Sequence, residues 1–348
     1  MSAFTNLISC IILLGLLEEL SSHEGKSHQN PSLKVIWNIK SLQCASHGFD
    51  FAEILKSNNI IHNEHGSFNG NVINLLYDPG KFPAILMKNN QEYLRNGGVP
   101  QEGNLNEHLE SFEKVVEQTI PDLENHGLAV IDHENWKAIY RQNNWGKYIA
   151  YQTLSENKEK KKHPKYSNER IIEEASKTFE DAAFKFIEET IKLGKSLRPN
   201  SQWGYYHYPY CFANGKTDTC HRRVMEENDR LRSLFEISDV LYPSLYLQEE
   251  NTSEERARFI RASLDEAIRV KNKLQRNKKI YVYYWYKYQD SENFISKEEL
   301  TSTLKIIASY NIDGLILWGA NADVNTSPKC GEVYEYINNT FGPTLRNV

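Results

Sequence analysis

The stretch Leu128-Ala-Val-Ile-Asp-His-Glu-Asn-Trp136 places two acidic side chains, Asp132 and Glu134, directly after a short apolar run. An apolar run without polar alternation is typical of a parallel strand that is buried on both faces. Because side chains alternate along an extended chain, Asp132 and Glu134 are expected on one face, with their Cα atoms roughly 7 Å apart. Two crowded carboxyl groups oppose each other's ionisation, so at least one should keep a proton near neutral pH. A neutral acid beside an ionised one can cleave glycosidic bonds.

Similar apolar runs recur along the chain and predict further strands. These runs cover residues 33–39, 72–77, 128–132, 203–208, 240–247, 279–288 and 314–318. Helical patterns lie between several of them, at residues 168–197, 252–274 and 296–309, and the last two open with capping boxes. Strands that alternate with helices predict an α/β fold, here a closed or nearly closed parallel barrel.

Polar and aromatic side chains gather where the predicted strands end. They are Tyr77-Asp78, Asp132 to Glu134, Tyr205-Tyr206, Ser244, Tyr246, Tyr286 to Asp290 and Trp318. An Asp-x-Glu at a single strand end would more often be merely solvated. Because the active sites of such barrels lie at the carboxyl ends of several strands, the repeated coincidence favours a catalytic site.

The amino-terminal segment predicts export. Its apolar core, Leu7 to Leu17, is too short to span a membrane and suits the centre of a secretory signal peptide. We therefore expect residues 1–22 to be a signal peptide, 23–31 a flexible lead-in and 32–348 a single catalytic domain. No other stretch is apolar enough to cross a bilayer, so we expect a secreted, extracellular protein that does not act at a membrane.

Four cysteines remain once the leader and Cys10 are removed. They are Cys44, Cys211, Cys220 and Cys330. An even number in an exported chain favours disulfides over metal ligands or a thiol nucleophile, and three pairings are possible. We favour Cys211–Cys220, which closes a short loop, together with Cys44–Cys330, which joins the two ends. The spacing fits no zinc pattern, and neither a metal nor a cofactor is expected.

The remaining features of the sequence are weaker indications of function. Asn251, Asn325 and Asn338 each begin an Asn-x-Ser/Thr triplet, so we expect glycosylation there. The net charge of −5 does not indicate a polyanionic partner, and no nucleic acid is expected to bind. Attraction for an acidic substrate would have to come from local Lys and Arg side chains. We expect a monomer.

Ordered motifs across nearly the whole chain resemble the hyaluronidases of animal venoms, saliva and sperm, glycoside hydrolase family 56. The resemblance is strongest to the short arthropod venom and salivary members. The motifs are Tyr77-Asp-Pro-Gly-Lys-Phe-Pro83, Asn96-Gly-Gly-Val-Pro-Gln-Glu-Gly103, Gly127 to Trp136, Trp203-Gly-Tyr-Tyr-His-Tyr-Pro-Tyr-Cys211, Leu241-Tyr-Pro-Ser-Leu-Tyr246 and Gly314-Leu-Ile-Leu-Trp-Gly319.

The resemblance implies a distorted parallel (β/α) TIM-like barrel with an open groove and the two disulfides favoured above. It implies a retaining endo-β-N-acetylhexosaminidase that cuts β-1,4 bonds of hyaluronan and, more weakly, of chondroitin. Glu134 matches the general acid/base, and Asp132 matches the residue that holds the substrate's acetamido group and keeps Glu134 protonated. The acetamido oxygen, and not a protein side chain, would attack the anomeric carbon. A venom or salivary spreading factor is the implied role.

The resemblance also assigns sugar contacts to residues at the other strand ends. Two tyrosines would position the acetamido group and a tryptophan would wall the sugar pocket, with the rest further along the groove. In that order they are Tyr206, Tyr246, Trp318, Tyr77, Asp78, Ser244 and Asp290.

The chain departs from the family pattern around the acids. His133 replaces an aromatic residue, usually Phe, and alternation places it opposite the carboxylates as a packed side chain. His207 replaces a small residue in a motif that lines the groove and would narrow it. The usual Arg-Pro after Trp136 is absent, and one extra Asn precedes Trp145. We expect these changes to affect the catalytic efficiency and not the type of reaction.

Two other functions are less well supported. A chitinase of the related N-acetyl-dependent barrel family would need Asp-x-x-Asp-x-Asp-x-Glu ending at Glu134, but Gly127 and Val130 stand at the two earlier acid positions. A catalytically weak or inactive glycan-binding relative of the hyaluronidases is the alternative that the departures leave open.

Overall fold

The computed structural model describes residues 33–213 and 215–348, and the unbroken apolar runs within them form parallel strands. Residues 33–348 make one compact unit. The predicted signal peptide and lead-in lie outside the described residues. In the part of the chain that is described, no helix is both long and apolar enough to pass through a membrane.

The strands follow the predicted runs, with shorter bounds, and add one hairpin. In chain order they are β1 (Val35–Asn38), β2 (Ile73–Tyr77), β3 (Ala84–Lys88), β4 (Gln91–Arg95), β5 (Leu128–Asp132), β6 (Gln202–Tyr205), β7 (Val240–Leu241), β8 (Lys279–Trp285) and β9 (Gly314–Trp318).

Two strands differ from the sequence-based prediction. The antiparallel pair β3 and β4 was missed; it turns at Asn89-Asn90, both with positive φ, a conformation that Asn tolerates in tight hairpin turns. The predicted strand at 240–247 is regular only at Val240–Leu241. Pro243 has no backbone N–H to add to a ladder, and beyond it pairing is reduced to isolated bridges.

The parallel strands form a TIM-barrel-like arrangement in two ladders. One has the order β2-β5-β6 and the other the order β1-β9-β8-β7. A parallel bridge between Tyr206 and Tyr242 joins β6 to β7, where the N–H of His207 donates to the Tyr242 carbonyl at 2.8 Å. The strands therefore run β2-β5-β6-β7-β8-β9-β1 around the centre.

The seam between β1 and β2 has no ladder among the described residues, and Asn63 occupies it. Two residues earlier, Ile61 pairs with β1, and its carbonyl accepts from the Trp37 N–H at 2.8 Å. The fully buried Asn63 amide then mimics a strand edge toward β2. Its Nδ2 donates to the Ile73 carbonyl at 2.8 Å, and its Oδ1 accepts from the Val72 N–H at 2.8 Å.

Helices cover the outside of the strands. They are α1 (Phe51–Ser57), α2 (Leu105–Thr119), α3 (Ile149–Lys162), α4 (Asn168–Leu197), α5 (Arg222–Arg230), α6 (Arg232–Ile237), α7 (Ser253–Asn272), α8 (Lys297–Ala308), α9 (Ser327–Tyr336) and α10 (Gly342–Leu345). The predicted helices appear as α4, α7 and α8, and Thr252 caps α7 with a complete capping box. At α8 only half of the predicted box forms, because Ser296 accepts from the Glu299 N–H while the Glu299 carboxylate accepts from Arg256.

Side chains alternate along β5 between two parts of the hydrophobic core, and this alternation determines the face on which Asp132 lies. Leu128 and Val130 belong to a cluster inside the strands, whereas Ala129 and Ile131 pack in the larger cluster beneath the helices. Asp132 therefore continues the inner face at the carboxyl end of the strand.

The disulfides are Cys44–Cys330 and Cys211–Cys220, the pairing favoured from the sequence. Cys44–Cys330 links positions 286 residues apart and fastens the turn after β1 to α9. Cys211–Cys220 closes a short loop after β6 that borders the cavity described below.

Replacing Asn63 by Ala should lower the free energy of unfolding by about 3 kcal/mol, because it leaves several buried backbone groups unpaired. Urea denaturation measures the change. As a control, Asn200→Ala removes an exposed amide with one hydrogen bond, to Glu124, and should change stability by less than about 0.5 kcal/mol. Equal effects of the two variants would contradict the role given to Asn63.

Candidate active site

A cavity of about 660 Å³ opens at the carboxyl ends of the strands. It brings together residues that are far apart in the sequence and that were predicted to form the site. Those lining it are Glu134, Tyr206, Ser244, Tyr246, Asp290 and Trp318.

The two acids occupy different depths of this cavity. Glu134 is exposed and lines it, whereas Asp132 is only 9 % exposed at the end of β5. Burial raises the pKa of Asp132 well above its ordinary value, and the nearby Glu134 raises it further. Oδ1 of Asp132 receives no hydrogen bond from the described protein groups. Asp132 therefore keeps its proton to higher pH than an exposed Asp does, and its Oδ1 is an open acceptor.

Aromatic side chains form the wall of the cavity. Tyr246 stacks on Trp318 with the ring centroids 5.5 Å apart, and the Trp318 Nε1 donates to the Tyr77 hydroxyl at 2.7 Å. The Tyr206 hydroxyl donates to Ser244 Oγ at 3.3 Å. Five of the assigned sugar contacts thus form two connected groups, and Tyr77 joins the wall although it does not line the cavity.

Trp285 completes this wall, a position that the sequence analysis did not assign to it. It is the last residue of β8, lies opposite Trp318 in the ladder and meets it edge-on with the centroids 5.2 Å apart. Its Nε1 donates to Asp323 Oδ2 at 3.0 Å. Its position at a strand end was the signal that could have identified it.

Asp78 does not line the cavity, and its carboxylate is engaged by protein groups. Arg95 donates two hydrogen bonds to it, at 2.7 and 2.9 Å, and the Asn135 amide donates a third at 2.6 Å. Burial opposes its ionisation, but His133 and Arg95 lower the pKa of Asp78 to about 2. Its ionised carboxylate holds the residue that follows Glu134.

Asp290 lines the cavity but is also occupied by backbone. Its two oxygens accept from the N–H groups of Glu249 at 2.7 Å and Glu250 at 3.1 Å. Although burial opposes ionisation, these hydrogen bonds lower the pKa of Asp290. It therefore fixes the loop before α7 at the edge of the cavity.

His133 packs away from the acids, as alternation predicted. Its ring lies 4.0 Å from that of Phe82 and 4.3 Å from that of Trp136, and only 5 % of the residue is exposed. Burial lowers the pKa of His133 and favours the neutral imidazole. The residue is part of the core beneath the helices.

His207 lies in the cavity lining, where a narrower groove was predicted. It adopts φ 75°, in the left-handed region, and packs against Tyr210 with the ring centroids 4.6 Å apart. Burial lowers the pKa of His207 well below its ordinary value, so it adds bulk and not charge.

Lys137 is a buried cation that the sequence analysis did not assign. It is 1 % exposed, and its Nζ lies 4.6 Å from the Tyr210 ring centroid and 5.2 Å from that of Tyr148. Burial lowers the pKa of Lys137 to about 8, while Glu134 and Asp132 oppose this shift. It stands where the family pattern has Arg, so the positive charge beside the acids is retained.

The model of the hyaluronidase family, glycoside hydrolase family 56, matches residues 23–348. The chain belongs to the hyaluronidase family of glycoside hydrolases. A hyaluronidase of Polistes annularis is 39 % identical over 90 % of this chain and 86 % of its own. One of Apis mellifera is 38 % identical over 97 % and 89 %. The crystal structure of bee venom hyaluronidase with a hyaluronic acid tetramer superposes with a TM-score of 0.88 at 40 % identity, covering 91 % of this chain and 99 % of that one.

No group of three or more His, Cys, Asp or Glu side chains that could hold a metal ion occurs within residues 33–213 and 215–348.

Asp132→Asn should change the pH dependence of stability. Because the pKa of Asp132 is raised on folding, the unfolded chain loses this proton first, and wild-type stability falls as pH rises above the ordinary Asp pKa. The variant lacks this loss. Thermal unfolding at several pH values should show that the stability of the variant rises relative to that of wild type from about pH 4 upward. A stability difference that is independent of pH would contradict the raised pKa.

Proposed function

We propose that the chain is a secreted endo-β-N-acetylhexosaminidase that hydrolyses β-1,4 bonds of hyaluronan and, more weakly, of chondroitin. The observation that supports this most is the placement of Glu134 at an aromatic-walled cavity with the buried Asp132 beside it. The family and the hyaluronic acid tetramer bound by the bee venom relative support the substrate.

The proposed mechanism is retaining and uses the substrate's acetamido group as nucleophile. The acetamido oxygen attacks the anomeric carbon while Glu134 protonates the glycosidic oxygen, and the leaving sugar departs. Water then attacks the anomeric carbon, Glu134 takes a proton from it, and the bond to the acetamido oxygen breaks. These steps make Glu134 first a general acid and then a general base.

In this mechanism Asp132 accepts a hydrogen bond from the acetamido nitrogen of the substrate. Its Oδ1 is a buried acceptor that lacks a protein donor, so the N–H of an acetamido group can supply the missing hydrogen bond. As the acetamido oxygen bonds to carbon, positive charge develops on the nitrogen, and a carboxylate there stabilises it. A neutral amide at this position would keep an acceptor but lose that charge.

The tyrosines and Trp318 position the sugar in this proposal. Burial, with Glu134 nearby, raises the pKa of Tyr206, so its hydroxyl stays protonated. It can turn from Ser244 to donate to the acetamido oxygen, with Ser244 Oγ then donating to the Tyr206 oxygen. The Tyr246 hydroxyl, also held neutral because burial raises its pKa, is a second donor. Trp318 supplies a wall for the pyranose face. Tyr77 and Ser244 support Trp318 and Tyr206 through the hydrogen bonds described above.

We propose secretion through the signal peptide at residues 1–22 and a role as a venom or salivary spreading factor acting as a monomer. The two disulfides suit an oxidising compartment. Asn325 and Asn338 are exposed and accessible for glycosylation. Asn251 is half-buried and lines the cavity, so a glycan there would stand at its edge.

Glu134→Gln should reduce hyaluronan hydrolysis by about 10²–10⁴-fold, since the amide cannot donate or take up the catalytic proton. New reducing ends measure turnover, and retained binding of the polymer shows that the fold is intact. Glu110→Gln makes the same change on the exposed face of α2 and should leave turnover unchanged.

If the wild-type protein binds hyaluronan without producing reducing ends at acidic or neutral pH, the glycan-binding alternative is correct. Normal cleavage by Glu134→Gln would show instead that the proton donor has been misassigned.

Lys137→Met should move the alkaline limb of the activity profile to higher pH. The buried cation favours ionisation of the acid pair, so without it the pair keeps its proton to higher pH. The ratio kcat/KM measured against pH reports the change. Lys147→Met removes an exposed cation, whose effect solvent screens, and should shift the limb less. A shift to lower pH would contradict the electrostatic role of Lys137.

A further inference from the structure

The buried carboxylate of Asp323 bridges the two segments that carry Trp285 and Trp318, the adjacent indoles of the cavity wall. Asp323 is the last residue of the turn Asn321–Asp323 after β9, and only 3 % of it is exposed. It does not line the active-site cavity, and the mechanism above gives it no role. A buried carboxylate is costly unless several donors satisfy it, so the groups that do so indicate what it holds in place.

Three consecutive residues at the end of β8 donate to this carboxylate. The Trp285 Nε1 and the Tyr286 hydroxyl each lie 3.0 Å from Oδ2, and the Lys287 Nζ lies 3.0 Å from Oδ1. Successive side chains of an extended strand point to opposite faces, so the convergence of three consecutive donors requires the chain to bend. β8 ends at Trp285, and its continuation therefore folds around Asp323.

The same carboxylate fixes the segment after Trp318. Its Oδ2 also accepts from the Ala320 N–H at 3.1 Å. Gly319, which lies between these two residues, passes so close to Tyr286 that an added Cβ would lie 2.5 Å from the hydroxyl oxygen. The ends of β8 and β9 are thus held against each other through one acidic side chain.

Lys287 supplies the positive charge that stabilises this carboxylate in the interior. Its side chain is 5 % exposed, and the carboxylate of the exposed Glu292 also lies 3.2 Å from its Nζ. Burial lowers the pKa of Lys287, but Asp323 and Glu292 raise it overall. Hydrogen bonds between a cation and a carboxylate are about twice as strong as neutral ones, so this contact holds the bent segment firmly.

We propose that Asp323 is a positioning residue for the hyaluronan hydrolysis proposed above. It orients the Trp285 indole directly and the Trp318 indole through the segment that follows it. Trp285 lies 5.2 Å from Trp318 and 5.9 Å from Tyr246, so a change in its orientation disturbs the stacked pair that walls the sugar. A binding site is precise only when surrounding residues fix its side chains. This inference rests on the proposed function, because it concerns how the same substrate is held.

Asp323→Leu tests this role, since leucine fills a similar volume but accepts no hydrogen bond. The KM for hyaluronan should rise about tenfold while kcat falls less than about threefold, because the aromatic wall loosens and the two acids stay in place. New reducing ends measured against substrate concentration give both constants. Lys287 keeps Glu292 as a partner in this variant, so the fold should persist, and thermal unfolding measures the stability that is lost.

Trp285→Phe removes the indole donor and provides a second test that does not depend on the stability of Asp323→Leu. It should raise the KM about threefold, in proportion to the one hydrogen bond lost. In the double variant the KM should rise no further than in Asp323→Leu alone, because both changes remove the same contact. Effects that multiply would show that Asp323 does not act through Trp285.

Glu266→Gln is the matched control for the loss of a buried carboxylate. Glu266 is 2 % exposed on α7, accepts from Asn228 and Arg269, each at 2.6 Å, and does not line the cavity. The change should lower the melting temperature and leave the KM unchanged. A KM raised as much as in Asp323→Leu would show that general destabilisation, and not positioning, is the cause.

The outcomes separate this inference from the proposed function. An unchanged KM in Asp323→Leu or in Trp285→Phe, or a loss confined to kcat, would overturn the inference while wild-type hydrolysis still supports the substrate. No hydrolysis of hyaluronan by the wild-type protein would overturn the proposed function, and the inference with it.

Discussion

The site depends on a carboxyl group, that of Asp132, buried beside a second and exposed acid. Asp132 ends a strand whose inner face is otherwise Leu128 and Val130, so its charge meets apolar neighbours and a second acid, Glu134, but no protein donor at Oδ1. An ionised carboxylate in such surroundings is costly unless something pairs with it. The site therefore holds free energy that a bound amide group can release by supplying the missing hydrogen bond.

The surrounding structure restricts what these acids can do. Asp78 is held ionised by Arg95 and in turn holds Asn135, so the chain after Glu134 cannot move freely. On the other side, Lys137 limits how far the pair can be pushed toward its neutral form. Beneath them, the Asn63 side chain takes the place of a strand at the seam between β1 and β2. Asp78 and Asn63 thus fix the segments that present the acids.

Much of this arrangement could be predicted from local sequence. The runs that became β5 and β9, the caps of α7 and α8 and the alternation that separates Asp132 from His133 depend on neighbouring residues. The engagement of Asp78 and Asp290 by protein groups and the contact partner of Trp285 could not be predicted in this way. Their partners, such as Arg95 for Asp78 and Trp318 for Trp285, come from other strands or loops, and residue type alone does not reveal a carboxylate already engaged by protein. The β3–β4 hairpin was not predicted because its strands are largely exposed and lack the burial on both faces that marks β5 and β9.

The departures from the family pattern are concentrated between residues 133 and 145, and the structure accommodates each differently. His133 is absorbed as a neutral ring in the core. Lys137 keeps the cation of the family's Arg, but an arginine stays charged at every pH a protein meets, whereas a lysine with a pKa near 8 does not. With Lys137 in place of Arg, the positive charge beside the acids is therefore lost at mildly alkaline pH. The extra residue before Trp145 lies in a loop that Asn143 anchors, and the Trp145 indole at the end of that loop is exposed to solvent. These departures spare both acids and change the charge and the exposed aromatic surface beside them.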